Sequence, residues 1–208
     1  MTPAAIIIED ATDTAIADWL ALRLGSVLAA NEGRAAITVP GGSTPFPILA
    51  ELIRRDLDFA RLEVWPNDDR IVPEDHEASN TGKLRSLLEP VGAAVVALAE
   101  GAAPPHFALT WLGMGPDGHI ASLFPNTDPD PADLAAVRRL TPDPLPPHAP
   151  FGRITLTIPA LLACDELLFV ARGDDKWAVL DSALAGEHDL PVARLLAARG
   201  DQPVTCFT

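Results

Sequence analysis

Short apolar segments alternate with longer amphipathic segments along most of the chain. The short segments are rich in β-branched and aromatic residues, which favours strands. They predict strands at Ala5–Ile8, Ala36–Val39, Leu62–Trp65, Phe107–Leu112, Arg153–Thr157, Leu167–Ala171 and Val204–Phe207. The amphipathic segments predict helices at about Ala15–Ala30, Pro47–Arg55, Ser79–Leu88, Asp175–Ala185 and Val192–Ala198. The first of these helices has three candidate N-caps, Thr12, Asp13 and Thr14.

This alternation predicts a single α/β domain over residues 1–208. Strands separated by helices form a mostly parallel sheet with helices on both faces, which gives three layers. Ligands in such folds bind outside the carboxyl ends of the strands. We therefore expect the loops after Val39, Trp65 and Leu112 to meet at one crevice.

The segment Asn126–Pro150 interrupts the alternation, because it is rich in proline and aspartate. It is too short to be a second domain, and within it only Ala132–Arg139 predicts a short helix. Long loops of this kind in compact domains are often functional. We expect this segment to lie on the surface beside the site.

Charge narrows the possible ligands. The chain has 208 residues and a formal net charge of −14, which argues against nucleic acid or an anionic membrane surface as a partner. No apolar run reaches the roughly 18 residues that a membrane span needs. The two lysines are Lys83 and Lys176, so a site for an anionic ligand would consist mainly of arginine.

Cysteine content and the N-terminal sequence indicate the compartment. Cys164 and Cys206 are too few for a disulfide scaffold and lack the spacing of a zinc or redox motif. Residues Met1–Asp10 have no basic region followed by an apolar one, as a signal peptide would. We therefore expect a cytoplasmic protein without a metal or cofactor. The sequence leaves a monomer and a homodimer equally open.

The Pro-Gly-Gly-Ser-Thr-Pro segment that begins at residue 40 joins a predicted strand to a predicted helix. Gly41 and Gly42 permit close approach of the backbone, and N–H groups at a helix N-terminus bind anions. The hydroxyls of Ser43 and Thr44 could donate to a phosphate group. Alternatively, Ser43 or Thr44 merely caps the helix. Ser43 as a nucleophile is a weaker reading, because proline replaces the last glycine of the Gly-x-Ser-x-Gly elbow.

Asp68, Asp69 and Arg70 follow the strand that ends at Trp65. Arginine binds phosphate in a planar, two-pronged geometry, and Asp68 or Asp69 could hold it in place or contact sugar hydroxyls. A solvated charged turn is the alternative. Magnesium is not favoured, because nothing else in the sequence offers the remaining ligands.

The segment Gly113–His119 follows another strand and matches Gly-x-Gly-x-x-Gly. A dinucleotide site is disfavoured, because Asp117 would lie beside the pyrophosphate and no acidic residue ends a strand about twenty positions later. Histidine is suited to accept a proton at neutral pH, and Asp117 could orient the ring of His119. We therefore expect His119 to be catalytic, although a lone histidine is more often structural.

Two later cations complete the candidates. Arg153 opens a predicted strand, and Lys176 lies in the first turn of a predicted helix after Gly173. A lysine at a helix N-terminus opposes the helix dipole, so a bound anion would explain its position. Ordinary surface exposure is the alternative for each residue.

Taken in order, these segments resemble the 6-phosphogluconolactonase family over nearly the whole chain. The resemblance rests on Pro40–Pro45, Asp69–Pro73, His76, Ser79 with Asn80, Leu112–Pro125, Arg153–Thr157 and Gly173–Lys176, and Leu112–Pro125 is the most specific part. It implies a fold shared with glucosamine-6-phosphate deaminases and ribose-5-phosphate isomerases. The chain has Asp69 where the family usually has glutamate, and it ends at Thr208 where the family usually continues.

The resemblance implies hydrolysis of 6-phospho-D-glucono-1,5-lactone to 6-phosphogluconate without a cofactor. His119 would take a proton from the attacking water, and Asp117 would orient the imidazole. Arg153 or backbone N–H groups would stabilise the oxyanion. The substrate and its phosphate would be held by Gly41, Gly42, Ser43, Thr44, Asp68, Arg70, Arg153 and Lys176.

Two alternatives remain. A glucosamine-6-phosphate deaminase or sugar-phosphate isomerase would use the same pocket, with a carboxylate such as Asp68 as base over the C2 proton. Deaminases also carry the Asp-Gly-His loop, but they usually have Tyr or Phe at the position of Arg70, which favours the lactonase. A sugar-phosphate sensor module is the non-enzymatic alternative, and such modules are normally joined to a DNA-binding segment.

Overall fold

The computed structural model describes residues 5–146 and 149–208. The strands are β1 Ile6–Ile8, β2 Ala35–Val39, β3 Leu62–Pro66, β4 Asp68–Arg70, β5 Ala94–Val95, β6 Leu109–Leu112, β7 Val137–Leu140, β8 Arg153–Leu156, β9 Leu167–Val170 and β10 Val204–Phe207. The α-helices are α1 Asp13–Ala30, α2 Pro45–Leu52, α3 Asn80–Leu88, α4 Ile158–Leu162, α5 Asp174–Ala185 and α6 Pro191–Ala198. Short 3₁₀ helices lie at Phe59–Arg61, Glu89–Val91 and Pro125–Thr127.

Seven of the strands form one parallel sheet in the order β1-β10-β9-β6-β2-β3-β5. Its central strands are fully buried, as expected of a sheet that is covered on both faces. Because side chains alternate along a strand, Leu168 and Val170 of β9 enter one apolar core while Leu167 and Phe169 enter the other. The predicted three-layer α/β fold is therefore confirmed.

Each face of the sheet is covered by its own set of helices. One core contains α1, α2 and α3, through residues such as Leu20, Ile48 and Leu84. The other core contains α4, α5 and α6, through residues such as Ile158 and Leu180. Within the described residues, no helix is long and apolar enough to cross a membrane.

A second, three-stranded antiparallel sheet has the order β4-β8-β7. Asp68–Arg70, predicted as a charged segment after the strand that ends at Trp65, is itself strand β4. It pairs with β8 in a register that sets Arg70 opposite Arg153. Pairing with distant residues leaves no local signal, so this strand could not be inferred from the sequence.

The helix predicted over Ala132–Arg139 is wrong. Val137–Leu140 is strand β7, and Val137 is buried opposite Leu156 of β8. Pairing with β8 and burial of Val137 outweigh the local helix preference of this segment. Residues 147 and 148 of the predicted surface segment lie outside the described residues.

The first residues of the observed helices lie close to those predicted from the sequence. Thr12 is the N-cap of α1, since its hydroxyl accepts a hydrogen bond from the N–H of Ala15 at 3.2 Å. Ser79 caps α3 in the same way through the N–H of Gly82. The second helix begins at Pro45, two residues earlier than predicted, because proline needs no N–H partner in the first turn.

Candidate active site

A cavity of about 300 Å³ lies where β2, β3, β6 and β9 end. The loops after Val39, Trp65 and Leu112 meet here, as predicted, and the segment after β9 joins them. The cavity is lined by Pro40–Pro45, Asp68, Arg70, Asn80, Trp111, Gly113–Pro116, His119, Ala121, Val170 and Lys176. Of the predicted site residues, all but Asp117 and Arg153 lie in these walls.

The loop between β2 and α2 brings backbone and hydroxyl groups to the cavity. Gly42 has a φ of +88°, in the left-handed region that glycine adopts without strain. Thr44 is the N-cap of α2, but its side chain accepts no hydrogen bond from the helix. The hydroxyl of Thr44 is therefore not used for capping, and both Ser43 and Thr44 line the cavity.

The loop after β6 folds back on itself and holds His119 in the cavity wall. Met114 bridges to Ile120, and the N–H of Gly115 donates to the carbonyl of His119 at 3.0 Å. A Cβ atom on Gly115 would lie 2.2 Å from Nδ1 and Cε1 of the imidazole. Gly118 turns the chain with a φ of +75°. These glycines therefore serve the placement of His119.

His119 is hydrogen-bonded through one ring nitrogen. Its Nδ1 lies 2.6 Å from Oδ1 of Asp117, and because an ionised carboxylate can only accept, Nδ1 must carry the proton. Nε2 then keeps its lone pair for an incoming proton. The ring of Phe124 packs on the imidazole at a centroid distance of 4.7 Å. Asp117 lies outside the cavity walls and acts through the imidazole.

Asp68 is a buried carboxylate in the same cavity, with a relative exposure of 7%. Ser122 donates a hydrogen bond from its hydroxyl to Oδ2 of Asp68. Burial raises the pKa of Asp68 above its ordinary value, and the Ser122 hydrogen bond and the charges of Arg70 and Arg153 oppose that shift. Asp68 thus offers an acceptor deep in the cavity.

Arg70 lines the cavity and is held at one end of its guanidinium. Nη1 donates to the side-chain Oδ1 of Asn80 at 2.9 Å and to the carbonyl of Ala78 at 3.1 Å. Its buried Nε has no hydrogen-bond partner among the described residues. Nη2, which makes no hydrogen bond to the described residues, is therefore the part of the guanidinium left for an anionic ligand.

Asp69 does not hold the guanidinium of Arg70. Its carboxylate instead accepts hydrogen bonds at the start of α3, from the N–H groups of Asn80 at 2.6 Å and Thr81 at 2.9 Å and from the hydroxyl of Ser79 at 3.1 Å. A carboxylate at a helix N-terminus is favourable both as an acceptor and for its charge. Replacement of the family's usual glutamate by Asp69 therefore affects the start of α3 and not the guanidinium of Arg70.

Lys176 brings a second cation to the cavity from the first turn of α5. Gly173, the N-cap of that helix, has a φ of +96°, so the chain turns there in the left-handed region before α5 begins. Asp174 and Asp175 balance the helix dipole in the same turn. Lys176 and Arg70 thus face one cavity in a chain of net charge −14.

Arg153 was predicted to contact the substrate, and the structure does not place it there. Its guanidinium donates to the carbonyls of Phe151 at 3.0 Å and Ala149 at 2.8 Å. The residue is 3% exposed and is not part of the cavity wall. Burial and the nearby charge of Arg70 lower its pKa. The carbonyl groups of the segment before β8 thus hold this guanidinium, and the sequence pattern did not reveal those contacts.

Asn80, which lines the cavity, and Ser122, which contacts Asp68 behind the wall, were not among the predicted site residues. Asn80 appeared in the sequence only beside Ser79 in the family motifs, and Ser122 only within the Leu112–Pro125 motif. Both are buried and hydrogen-bonded to the Asp68–Arg70 strand. The signal that could have revealed them was their place in the segments that carry the family resemblance.

The donor set suits an anion better than a metal ion. Among residues 5–146 and 149–208, no group of three or more His, Cys, Asp or Glu side chains is placed to hold a metal. His76 packs against Phe151, and His106 lies 2.8 Å from the carboxylate of Asp165. The cavity itself combines two cations, backbone N–H groups and hydroxyls, which together favour a phosphate.

Comparison with known proteins agrees with this geometry. The family described as glucosamine-6-phosphate isomerases/6-phosphogluconolactonase matches residues 9–100 and 89–204. A 6-phosphogluconolactonase of Pseudomonas aeruginosa is 36% identical over 207 residues, which are 88% of this chain and 86% of that protein. A 6-phosphogluconolactonase of Rattus norvegicus is 33% identical, with 86% of this chain and 80% of that protein covered.

Solved structures show the same fold. A 6-phosphogluconolactonase from Shewanella baltica superposes with a TM-score of 0.83 at 25% identity, covering 100% of this chain and 98% of that one. A monomeric glucosamine-6-phosphate deaminase reaches a TM-score of 0.77 at 17% identity, covering 97% and 96% of the two chains, and shows the fold alone. The chain belongs to the glucosamine-6-phosphate isomerase/6-phosphogluconolactonase family.

Proposed function

We propose that the chain is a 6-phosphogluconolactonase, which hydrolyses 6-phospho-D-glucono-1,5-lactone to 6-phosphogluconate in the oxidative pentose phosphate pathway. The observation that carries this proposal is the His119–Asp117 pair at a cavity that also holds Arg70 and Lys176. The names of relatives that are more than 30% identical over most of the chain support the same reaction.

His119 is the general base. Its Nε2 takes a proton from water as the water oxygen bonds to the lactone carbonyl carbon, C1. The imidazolium then returns the proton to the ring oxygen as the bond from C1 to that oxygen breaks, so His119 ends the cycle neutral. The carboxylic acid formed at C1 releases its own proton to water. Asp117 stabilises the imidazolium through Nδ1, and proton transfer of this kind contributes about 10²–10⁴-fold in rate.

The phosphate is held by cations and backbone N–H groups. Arg70 and Lys176 supply charge, and Gly41, Gly42, Ser43 and Thr44 supply the loop at the start of α2. Binding of the phosphate holds C1 next to His119. Part of the binding free energy thus serves to orient the lactone carbonyl against the attacking water.

At the sugar end of the site, the substrate hydroxyls need a hydrogen-bond acceptor, and the oxyanion that forms from the lactone carbonyl needs hydrogen-bond donors. Asp68 lines the cavity and is placed to accept hydrogen bonds from sugar hydroxyls. Backbone N–H groups are left to stabilise the oxyanion, because the guanidinium of Arg153 is bound to carbonyl groups outside the cavity.

The test follows decay of the lactone, generated beforehand with glucose-6-phosphate dehydrogenase, with wild-type protein, with His119→Ala and without protein. We expect fast decay with wild type and a loss of about 10²–10⁴-fold with His119→Ala. His106→Ala is the matched control, since His106 is 61% exposed and pairs with Asp165 away from the cavity. Wild-type decay no faster than the spontaneous rate would reject the function, whereas an active His119→Ala would reject only the base.

A deaminase or isomerase is the second candidate, and one observation favours it. Asp68 is a buried carboxylate in the cavity with a raised pKa, the type of group that removes a proton next to a carbonyl. Incubation with glucosamine 6-phosphate and measurement of ammonia separates the two reactions. Ammonia release without lactone hydrolysis would favour this candidate over the lactonase.

We also propose a cytoplasmic location. Cys164 and Cys206 are free thiols and both are buried, which is the usual state of cysteines in a reducing compartment. Fractionation of the native host, followed by an antibody to this chain, tests the location.

A further inference from the structure

Asn80 occupies a central position between three parts of the site. It is the first residue of α3, and the residue is 1% exposed. Its side-chain oxygen accepts a hydrogen bond from Nη1 of Arg70 at 2.9 Å, and its Nδ2 donates to the backbone carbonyl of Asp68 at 2.9 Å. Both ends of the amide are therefore used, and the arginine requires the oxygen on its side.

The same amide packs on the loop after β2. A Cβ atom on Gly41 would lie 2.2–2.4 Å from the amide atoms of Asn80, so the absence of a side chain at residue 41 lets the amide reach the loop backbone. Asn80 thus joins strand β4, which carries Arg70, to the loop that carries Ser43 and Thr44.

The contacts explain why an amide suits this position. Asn80 and the carbonyl of Ala78 occupy Nη1 of Arg70, and they do so without neutralising the guanidinium. A carboxylate in the same place would pair with Arg70 and add a negative charge beside Asp68. An arginine that is held by neutral acceptors keeps its full charge for an anionic ligand.

We propose that Asn80 is a positioning residue that directs Arg70 toward the phosphate of the substrate and fixes it against the Gly41–Thr44 loop. This inference rests on the proposed function, because it takes the phosphate as the ligand of Arg70. It assigns Asn80 no contact with the reacting atoms. Its effect belongs to recognition of the phosphate and not to proton transfer.

The test compares Asn80→Asp with wild type on two lactones, 6-phosphogluconolactone and unphosphorylated glucono-1,5-lactone. We expect KM for the phosphorylated lactone to rise roughly 10- to 100-fold, the range of one charge-assisted hydrogen bond, while kcat changes little. Turnover of the unphosphorylated lactone should fall by a much smaller factor, because that substrate has no phosphate for Arg70 to bind. A purely structural role for Asn80 would instead lower turnover of both lactones together.

Two further variants make the result specific. Asn31→Asp is the matched control, because Asn31 is exposed at the end of α1 and its side chain donates only to the nearby carbonyl of Val27. In an Arg70→Ala background, Asn80→Asp should no longer change the preference for the phosphorylated lactone, since the residue on which it acts is gone. An equal loss on both lactones, or an undiminished effect in that background, would overturn the proposal.

Binding separates failure of this proposal from failure of the proposed function. Calorimetric titration with 6-phosphogluconate needs no turnover, and Asn80→Asp should weaken its binding by a similar factor. If wild type binds 6-phosphogluconate but hydrolyses no lactone, the reaction is wrong and the titration still decides the role of Asn80. Unchanged binding in Asn80→Asp would reject that role, and absence of binding by wild type would reject both proposals.

Discussion

Asp68 and Asp69 are neighbours on β4, and the two-residue period of a strand directs their side chains to different surroundings. Asp68 faces the cavity and Ser122, whereas Asp69 faces the start of α3. At the scale of single residues, alternation along one short strand therefore separates a binding group from a structural one.

The pH dependence of stability reports on Asp68. Because burial raises the pKa of Asp68, the folded state favours the protonated carboxyl more than the unfolded state does. This contribution to the free energy of unfolding is complete below the pKa that Asp68 has in the unfolded chain. It is lost as the pH rises through the higher pKa that Asp68 has in the folded protein. We expect Asp68→Asn to raise Tm relative to wild type at pH 7–8, by about 2–4 °C per kcal/mol gained, and the difference to shrink as the pH falls toward 4.

Thermal unfolding from pH 4 to 8 measures this effect. Asp56→Asn is the control, since Asp56 is exposed and should give a difference that is small at every pH. A difference for Asp68→Asn that grows toward acidic pH would show that the ionised carboxylate stabilises the fold, with its partners Arg70 and Arg153 outweighing the cost of burial.

At the scale of elements, the small antiparallel sheet and α3 form the wall that carries Arg70. The sheet pairs β4 with β8, and the carboxylate of Asp69 fixes the first turn of α3 against β4. Loss of either contact would move Asn80 and hence Arg70. The position of one cation thus depends on how two elements are joined.

Replacement of Asp69 tests that joint. In Asp69→Asn one carboxylate oxygen becomes an NH₂ group, which leaves buried donors of α3 without an acceptor. We expect the free energy of unfolding to fall by about 1–3 kcal/mol, measured by urea denaturation at pH 7. The same change at the exposed Asp56 should stay within about 0.5 kcal/mol, and an equally small effect at Asp69 would contradict this account.

At the scale of the whole molecule, two apolar cores lie on opposite faces of the sheet. Both cysteines are buried in the core that α4, α5 and α6 cover. Burial raises the pKa of the Cys164 thiol to about 11 and that of Cys206 to about 12. The thiolate is the reactive form. The packing of the molecule therefore makes both thiols inert at neutral pH.

Labelling with a disulfide reagent such as DTNB at pH 8 tests this packing. Both thiols should react at least about 100-fold more slowly in the folded protein than in guanidinium chloride, where the thiol pKa returns to its ordinary range. Rapid reaction of one thiol in the folded state would indicate that its part of the core opens easily.

The sequence by itself determined most strands of the large sheet, five of the α-helices, the three-layer fold and the loops that meet at the cavity. Those features follow from the hydrophobic period and from the rule that parallel strands end at one edge. The glycines around His119 and the pairing of His119 with Asp117 were accessible for the same reason, since they are local.

Only the tertiary structure decided which side chains face the cavity. Strands β4 and β7 both depend on pairing with β8, which lies far from β4 in the sequence. The guanidinium of Arg153 is held by the carbonyls of Ala149 and Phe151. Asn80 was identified because α3 brings it against Gly41 and Arg70, two contacts between separate elements. Such contacts leave no period in the sequence, because they are fixed by packing and by hydrogen bonds between distant residues.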